Sequence, residues 1–326
     1  MRDHLANVPR LCISPMSLNI IDAVIELSHD LPNKLAFIPT RRQIDYNGGY
    51  VENFTTEGFT QYLKLKKSNV SVIRDHGGTS QGVSEDDGRK SFESDAKNFD
   101  IIHIDPWAKY PDYESGMRNT VSHIKEISSI NPNVLFEIGT EEAIRKFSLE
   151  ELRQLINDLK HFNCLEKVLY LVIQSGANID ILNKKNVGNF NLYTLQKSVE
   201  LCENNGLYSK EHNSDFFTKE DISIRFSNGL SCMNVGPQIA QQETFCYLEE
   251  MTKKDFDLFY NRVYESGVWK KWIKDDGFDP TVRKHDLVTA CGHYLYKDEV
   301  FNKIVEKMDI KHKIINRIKA KILYFL

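Results

Sequence analysis

Short apolar runs recur along the chain, and each is followed by polar or glycine-containing residues and then by a stretch with helical periodicity. The starts of successive runs lie about 23 to 39 residues apart, and a strand, a crossover helix and two loops together need roughly 30 residues. The eight runs are residues 11–17, 35–40, 70–76, 100–105, 134–141, 168–176, 207–212 and 230–237. This alternation predicts eight successive βα units.

The segment after the fifth run shows the helical half of the pattern. A helix that begins behind Ser148 places on one face the apolar residues Leu149, Leu152, Leu155, Ile156 and Leu159. Eight such units favour an α/β fold, a (β/α)8 TIM barrel with a C-terminal helical extension. A single run could also be a strand of a doubly wound sheet or a short helix. However, no GxGxxG follows the first run and no GxxxxGK[ST] occurs, so the two commonest nucleotide-binding folds lose their main support.

The end of the chain departs from the βα pattern. We expect the barrel to span residues 1–260, and residues 261–326 to form an insertion and a basic helical tail packed on the barrel. The basic residues of the tail are Lys303, Lys307, Lys311, Lys313, Arg317, Lys319 and Lys321. A membrane-surface role is conceivable for such a helix, but packing on the barrel or on a partner subunit is the favoured interpretation.

Composition narrows the class of protein. The 326 residues carry a net charge of −4, and without a basic excess we expect small-molecule ligands and no nucleic acid. Six scattered cysteines without a CxxC pair suggest neither a zinc ribbon nor a disulfide framework, which favours a reducing cytoplasm. No signal-peptide pattern and no apolar window of roughly 18 residues is present, so a soluble, cytoplasmic protein without a membrane span is expected.

Polar and ionisable side chains, together with one glycine, collect where the apolar runs end. In a barrel these ends meet at one mouth, however far apart they are in sequence. The residues are Asp75, His76, His103, Asp105, Glu137, Glu141, Gln174, Ser175, Glu211, His212, Ser214, Asp215, Asn234 and Gly236. Histidines and carboxylates at one mouth are what a catalytic divalent metal needs, so a metal site is the first hypothesis.

Some of these residues also have a structural interpretation. His103 lies within an apolar run and is more typical of a satisfied core histidine, and Glu137 alternates with apolar residues in a way that points it into the barrel. His76 and His212 each follow a run and adjoin a carboxylate, which favours ligation. The remaining histidines are expected mostly at the surface: His4, His29, His123, His161, His285, His293 and His312.

An ordered series of motifs resembles one known family. The motifs are "PTRRQIDYNGGYVENFTTEGFTQYL", "RDHGG", "FDIIHIDPW", "FEIGTE", "LVIQSGANID", "SKEHNSD" and "MNVGP", within residues 13–250. The series resembles the tagatose-bisphosphate aldolase accessory (non-catalytic) subunit family, which is related to class II metal-dependent sugar aldolases and sugar-acid epimerases. The resemblance covers most of the chain.

The resemblance implies a TIM barrel with a divalent metal, usually zinc, at its mouth. Carried over residue by residue, it makes His76 and His212 metal ligands, Glu141 the third ligand and a catalytic residue, and Asp75 the catalytic acid/base. The catalytic relatives have a histidine where this chain has Gln174, so a mixed ligand set that includes Gln174 is expected.

Substrate contacts are expected from the loops around the mouth. The turn "YNGGY" would cover the mouth with Asn47 and Gly48, although a plain loop is an equally good interpretation. The loop after the eighth run and the start of the following helix are where this fold often binds a phosphate. The remaining expected contacts are Asp105, Ser214, Asp215, Asn234 and Gly236.

Two functions from different classes follow. The first is a metal-dependent aldolase or epimerase that acts on a ketose or ketose phosphate through an enediolate, by reversible carbon-carbon cleavage or by inversion at carbon 4. The second is a non-catalytic partner that stabilises a separate class II tagatose-bisphosphate aldolase chain. The clustered ionisable residues favour the enzyme, whereas Gln174 favours the partner. A homo-oligomer is expected from the habits of the fold.

Overall fold

Eight parallel strands form a closed barrel in the computed structural model, which describes residues 8–271, 273 and 277–326. Their order around the barrel is β1-β10-β9-β6-β5-β4-β3-β2. The barrel strands are β1 (Leu11–Ile13), β2 (Leu35–Phe37), β3 (Ser71–Gly77), β4 (Ile101–Ile104), β5 (Leu135–Ile138), β6 (Val168–Ile173), β9 (Tyr208–Glu211) and β10 (Cys232–Val235). One strand lies in each of the eight apolar runs, so the (β/α)8 prediction is confirmed.

Helices surround the barrel and continue into the extension. The α-helices are α1 (Leu18–Asp30), α2 (Thr56–Leu65), α3 (Arg89–Asn98), α4 (Tyr113–Ile130), α5 (Leu149–His161), α6 (Leu192–Glu203), α7 (Lys219–Ser227), α8 (Pro237–Glu250), α9 (Lys253–Ser266), α10 (Lys284–Cys291), α11 (Glu299–Val305) and α12 (Lys311–Leu323). Short 3₁₀ turns are Pro106–Ala108, Leu165–Lys167, Val268–Lys271 and Gly292–Leu295. An antiparallel hairpin, β7 (Ile179–Asp180) with β8 (Lys185–Asn186), follows β6. The predicted boundary at residue 260 falls within α9, and the division into barrel and extension stays a prediction.

The start of α5 shows how the sequence sets a helix in place. The Ser148 hydroxyl accepts a hydrogen bond from the Glu151 amide, and the Glu151 carboxylate accepts one from the Ser148 amide. This capping box satisfies two amides that the helix itself leaves unpaired. The apolar stripe behind it is buried, as Leu152, Leu155 and Leu159 show.

The barrel interior is closed below the mouth by a small apolar layer. Alternate strand residues face inward, and this layer contains Cys12, Ala36, Ile38, Ile73, Ile101, Tyr170 and Cys232. The outward-facing strand residues pack under the helices in the main core. Polar side chains that face inward therefore collect above the apolar layer, at the carboxyl ends of the strands.

The basic tail packs on the barrel through α12. Its apolar face, which includes Ile314 and Ile318, is buried against α1 and α8. Lys313 and Arg317 on its other face form ion pairs with Glu249, so part of the positive charge is matched by acids of α8. Across the described helices, none is both long and apolar enough to cross a membrane.

Candidate metal centre and substrate cavity

Four side chains converge at the barrel mouth from three strands. Asp75 and His76 come from the end of β3, His103 comes from β4, and His212 directly follows β9. One possible ligand atom from each residue lies within 4.8 Å of the others. The structure thus brings together residues that are more than 130 positions apart in sequence, as parallel strand ends in a barrel require.

The end of β3 bends so that His76 faces the mouth. Its φ angle is +43°, and the strand register shifts between Arg74 and Gly77. Such strained positions and bulges are common beside active sites. The Nδ1 atom lies 2.8 Å from Oδ2 of Asp105, and because a carboxylate only accepts hydrogen bonds, Nδ1 carries the proton there. Nε2 is then the nitrogen that could bind a metal, once it releases the proton that the nearby carboxylates favour by raising the pKa of His76 against the effect of burial.

Asp105 has a different position from the one the sequence predicts. It is buried, accepts hydrogen bonds from His76 and from the Thr140 hydroxyl, and does not line the cavity. Its burial against His76 places Asp105 to orient this imidazole, and its role as a substrate contact stays a prediction.

His212 is oriented by a buried ion pair. Its Nε2 lies 2.6 Å from Oε1 of Glu137, and Oε2 of Glu137 accepts a 2.5 Å hydrogen bond from Nζ of Lys210. All three side chains are buried. Lys210 and His212 are two residues apart in the β9 segment and so face the same side. The Glu137 carboxylate therefore fixes the proton on Nε2 and leaves Nδ1 facing the mouth.

His103 completes the set of imidazoles. Its Nε2 donates a 2.9 Å hydrogen bond to the carbonyl oxygen of Gly139. Its Nδ1 faces Asp75 and also accepts a 3.2 Å hydrogen bond from the His76 amide. The expectation that His103 is a satisfied core residue therefore holds for one nitrogen, whereas the other faces the cluster.

The three imidazoles share one geometry. The nitrogen that faces the mouth lies 3.6 Å from Oδ1 of Asp75 in His76, 3.8 Å in His103 and 3.9 Å in His212. This Asp75 oxygen is buried and makes no hydrogen bond of normal length among the described residues. Metal-ligating histidines in proteins usually hold their second nitrogen against an oxygen acceptor, as all three do here. The donor set therefore fits a divalent metal.

Glu141 lies on the more open side of the same cluster. Its Oε2 is 3.6 Å from Nε2 of His76 and 3.9 Å from Nδ1 of His212, and it accepts a 2.8 Å hydrogen bond from the Asn213 amide group. Its side chain keeps 18% exposure, against 12% for Asp75. Two carboxylates therefore flank the imidazole nitrogens, one deep and one near the cavity.

The electrostatics keep the carboxylates ionised. Burial alone would raise the pKa of Asp75, but the charge of His76 and the His103 imidazole outweigh it and lower that pKa to about 2. Burial opposes ionisation of Glu141 as well, and His76 still holds the pKa of Glu141 below its usual range. Burial lowers the pKa of His212 despite its contact with Glu137, which suits a neutral ligand imidazole.

A cavity of about 470 Å³ opens above the cluster. Asp75, His76, Glu141 and His212 lie among its lining residues, which also come from the loops around the mouth and from the extension. The further polar and aromatic lining residues are Ser14, Thr40, Arg42, Gln43, Tyr50, Gln81, Asn178, Asn213, Asp215, Asn234, Lys271, His293 and Tyr294. A cavity of this size and polarity suits a small polar ligand.

The expected phosphate position at the start of α8 is filled by a carboxylate. Asp215 accepts hydrogen bonds from the amides of Gly236 at 3.1 Å and Gln238 at 2.6 Å. Burial raises the pKa of Asp215 to about 7 even with these amides. Asp215, Asn234 and Gly236 line the cavity as expected, but the helix amides that would bind a phosphate already have an acceptor.

Several predicted site residues lie outside the cavity. Both ends of the Gln174 amide group are bonded to backbone atoms, with its nitrogen 2.8 Å from the carbonyl oxygen of Thr140 and its oxygen accepting from the Phe147 amide. It is therefore not part of the cluster. Asn47 is exposed in its turn, and neither it nor Gly48 lines the cavity. Ser214 is buried and its amide is bonded to a backbone carbonyl.

The sequence places His103 at the mouth but favours a core role for it, and it gives no indication of His293 there. His103 pairs in register with Glu137, and this pairing, which brings His103 into the cluster, is seen only in the folded sheet. His293 was expected at the surface but is buried, with 4% exposure, and lines the cavity. A histidine in an extension gives no sequence signal of this kind, because only tertiary packing brings it to the mouth.

Solved structures with a similar fold include sugar-related proteins. A probable tagatose 6 phosphate kinase from Sinorhizobium meliloti 1021 is 15% identical, with a TM-score of 0.73 over 97% of this chain and 93% of that one. The YdjI aldolase from Escherichia coli K12 is 12% identical, with a TM-score of 0.56 over 97% and 94% of the two chains. Fructose-bisphosphate aldolase from Campylobacter jejuni is 10% identical, with a TM-score of 0.58 over 98% and 91%.

Comparison of the sequence with known families and curated proteins gives no match. No protein-family model matches the chain, and no curated protein matches it. The structural likenesses, at 15% identity or below, establish architecture. The chain is a (β/α)8 barrel with the same overall fold as these aldolases.

Proposed function

We propose that this protein is a metal-dependent sugar aldolase or a related sugar epimerase that acts on a ketose or ketose phosphate. One observation carries the proposal: the nitrogens of His76, His103 and His212 that face the mouth all approach the same buried oxygen of Asp75. A purely structural cluster has no need to leave that oxygen without a hydrogen bond of normal length in the described part of the chain.

The three imidazoles are the proposed metal ligands, and Nδ1 of His103 would bind the metal in place of the hydrogen bond that it accepts from the His76 amide. Three protein ligands with an open position for substrate are typical of catalytic zinc, and zinc is therefore the expected ion. A divalent metal would supply Lewis acidity to the ketose carbonyl and the neighbouring hydroxyl. This ligand set differs from the one implied by the family resemblance, because His103 takes the place expected for Gln174 and Glu141 lies beside the imidazoles.

Asp75 and Glu141 are the proposed proton carriers. Both are ionised at neutral pH, because the nearby histidines lower their pKa values, so each can accept a proton from a substrate hydroxyl. Oδ1 of Asp75 is the deeper acceptor and Oε2 of Glu141 the one nearer the cavity. In aldol cleavage one carboxylate removes the proton from the hydroxyl that becomes the aldehyde, and the reverse step returns it.

How well the cavity encloses the aldehyde product decides between carbon-carbon cleavage and inversion at carbon 4. An epimerase must retain the aldehyde long enough for it to turn and rejoin, whereas an aldolase releases it. Residues of the extension, including Ile273 and Tyr294, line the cavity above the cluster. Such a covering supports retention, so carbon-4 inversion is tested together with cleavage.

The competing function is a non-catalytic partner of a separate aldolase chain. The family resemblance suggests it, and Gln174 in place of a ligand histidine favours it. The amide of Gln174 is bonded to the backbone around residues 140–147. A backbone-bound glutamine is a structural feature that an enzyme and a scaffold can share. The buried, histidine-flanked Asp75 favours the enzyme.

Metal analysis with a substrate panel tests the proposal. The protein purified alone is analysed for metal and assayed on ketoses and ketose phosphates, for cleavage and for inversion, before and after chelation. We expect one divalent ion per chain and chelator-sensitive turnover in the wild type. Both should be lost in a His76→Ala, His212→Ala double variant. Both should be retained in the control variant His312→Ala, because His312 is exposed. One ion per chain in the folded double variant would contradict the ligand assignment, and no metal and no turnover in the wild type would favour the partner function.

A further inference from the structure

His293 lies in the extension, in the 3₁₀ turn Gly292–Leu295, and is turned toward the barrel mouth. It is buried, with 4% exposure, and it lines the cavity. Neither Nδ1 nor Nε2 has a hydrogen-bond partner in the described ranges of the chain. A buried imidazole with both nitrogens unsatisfied costs free energy, and the cavity is where a partner for these nitrogens can enter.

Two tyrosine rings lie against His293. Its ring centroid lies 4.1 Å from that of Tyr294 and 5.9 Å from that of Tyr50. The Tyr50 hydroxyl is also buried and makes no hydrogen bond of normal length to the described residues. Oδ1 of Asn234, another lining residue, is likewise unsatisfied within the described chain. Three elements of the wall thus present polar atoms that make no hydrogen bond of normal length to the described residues, although Gln43 lies near the Tyr50 hydroxyl.

At His293 this chemistry matches hydroxyl groups better than anions, whereas the cationic side chains of the cavity lining are Arg42 and Lys271. Burial lowers the pKa of His293 to about 3, so at neutral pH the ring has one N–H donor and one acceptor nitrogen. A hydroxyl group can accept from one polar atom and donate to another, whereas a phosphate offers acceptors only. The arrangement of a neutral imidazole, a phenol and an amide oxygen is therefore suited to a polyhydroxylated chain.

We propose that His293 hydrogen-bonds a hydroxyl group of the bound sugar, so that the C-terminal extension completes the substrate site. This inference rests on the proposed function for the identity of the ligand as a ketose. His293 would bind the substrate without taking part in the reaction, since it is not part of the four-residue cluster at the barrel mouth.

The test uses three variants of the full chain. His293→Phe keeps an aromatic ring between Tyr50 and Tyr294 but removes both nitrogens, His293→Asn restores a donor and an acceptor, and His312→Phe is an exposed control. Each variant is checked for thermal unfolding and metal content. With a ketohexose and its 6-phosphate as substrates, His293→Phe is expected to raise KM about tenfold, the effect of one lost hydrogen bond. The value of kcat should be unchanged, and His293→Asn should recover most of the loss.

A binding measurement separates this inference from the proposed function. Histidine side chains labelled with ¹⁵N report whether the ketohexose D-tagatose shifts the ring signals of His293, whether or not turnover occurs. A shift in the wild type, absent in His293→Phe, supports the inference even if the protein has no metal and no activity. Turnover with unchanged KM in His293→Phe, an effect confined to the phosphate ester, or unshifted ring signals at saturating sugar would overturn it.

Discussion

Substituting Glu137 by Gln tests whether the buried ion pair controls the proposed metal site. Glu137 accepts a hydrogen bond from Lys210 through one oxygen and from His212 through the other. Glutamine keeps the shape but loses the charge, and its amide offers one acceptor oxygen in place of two. One of the two contacts is therefore weakened, and Lys210 is left as a buried charge without a counter-ion.

The expected losses follow from that burial. Glu137 and Lys210 both have 0% exposure, and removing one partner of a buried pair costs about 3 to 5 kcal/mol. Because the amide still accepts one hydrogen bond, we expect a loss of about 3 kcal/mol in unfolding free energy. An outer partner of a ligand histidine contributes about 10- to 100-fold in metal affinity, and we expect zinc affinity to fall within that range.

Chemical denaturation of metal-free protein and zinc competition against a chromophoric chelator measure the two effects. Glu249→Gln is the matched control, because Glu249 is 45% exposed and pairs with Arg317 far from the mouth; it should cost less than about 1 kcal/mol. Adding Lys210→Met to Glu137→Gln removes the unmatched charge, so stability should largely recover while zinc affinity stays low. Unchanged zinc affinity in Glu137→Gln would show that Glu137 does not support the metal site. No recovery of stability in the double variant would show that the loss does not come from the unmatched charge of Lys210.

Three further predictions concern other parts of the chain. Asp75→Asn should lower kcat by about 10²- to 10⁴-fold with metal content retained, and near-normal kcat in steady-state assays would remove Asp75 from catalysis. Burial raises the pKa of Glu243 to about 7, above the value near 4.3 of an unfolded chain, so the native state holds a proton that the unfolded state releases between these values. The free energy of unfolding should therefore fall as the pH rises through that window, by roughly 3 kcal/mol more in the wild type than in Glu243→Gln. Chemical denaturation at pH 4.5 and pH 8 measures this fall, and an equal fall in the two proteins would contradict the prediction. Gln174→Ala should leave zinc content unchanged, whereas loss of zinc from the folded variant would return Gln174 to the ligand set.

The barrel and the centre of the site could be predicted because they follow local rules. Each strand is an apolar run that ends in a polar turn, and the barrel brings those ends to one mouth. His76 and His212 were found because each directly follows such a run and adjoins a carboxylate. The register of β4 against β5, which brings His103 beside Glu137, needed the folded sheet.

The remaining site residues depend on contacts that no local pattern encodes. Asp215 accepts the hydrogen bonds of the amides at the start of α8 that a phosphate was expected to use, because the loop after β9 folds toward α8. Gln174 turns to the backbone of the preceding loop. His293 reaches the cavity because the extension packs over the mouth, and its position along the sequence carries no information about that packing.

A crystal structure of zinc-loaded protein, with anomalous data collected at the zinc edge, tests the proposed metal centre directly. We expect one strong peak about 2.0 to 2.1 Å from Nε2 of His76 and from Nδ1 of His103 and His212, with Asp75 adjacent. Zinc found only elsewhere on the chain, or no peak at this mouth under saturating zinc, would show that the three imidazoles are not the metal ligands.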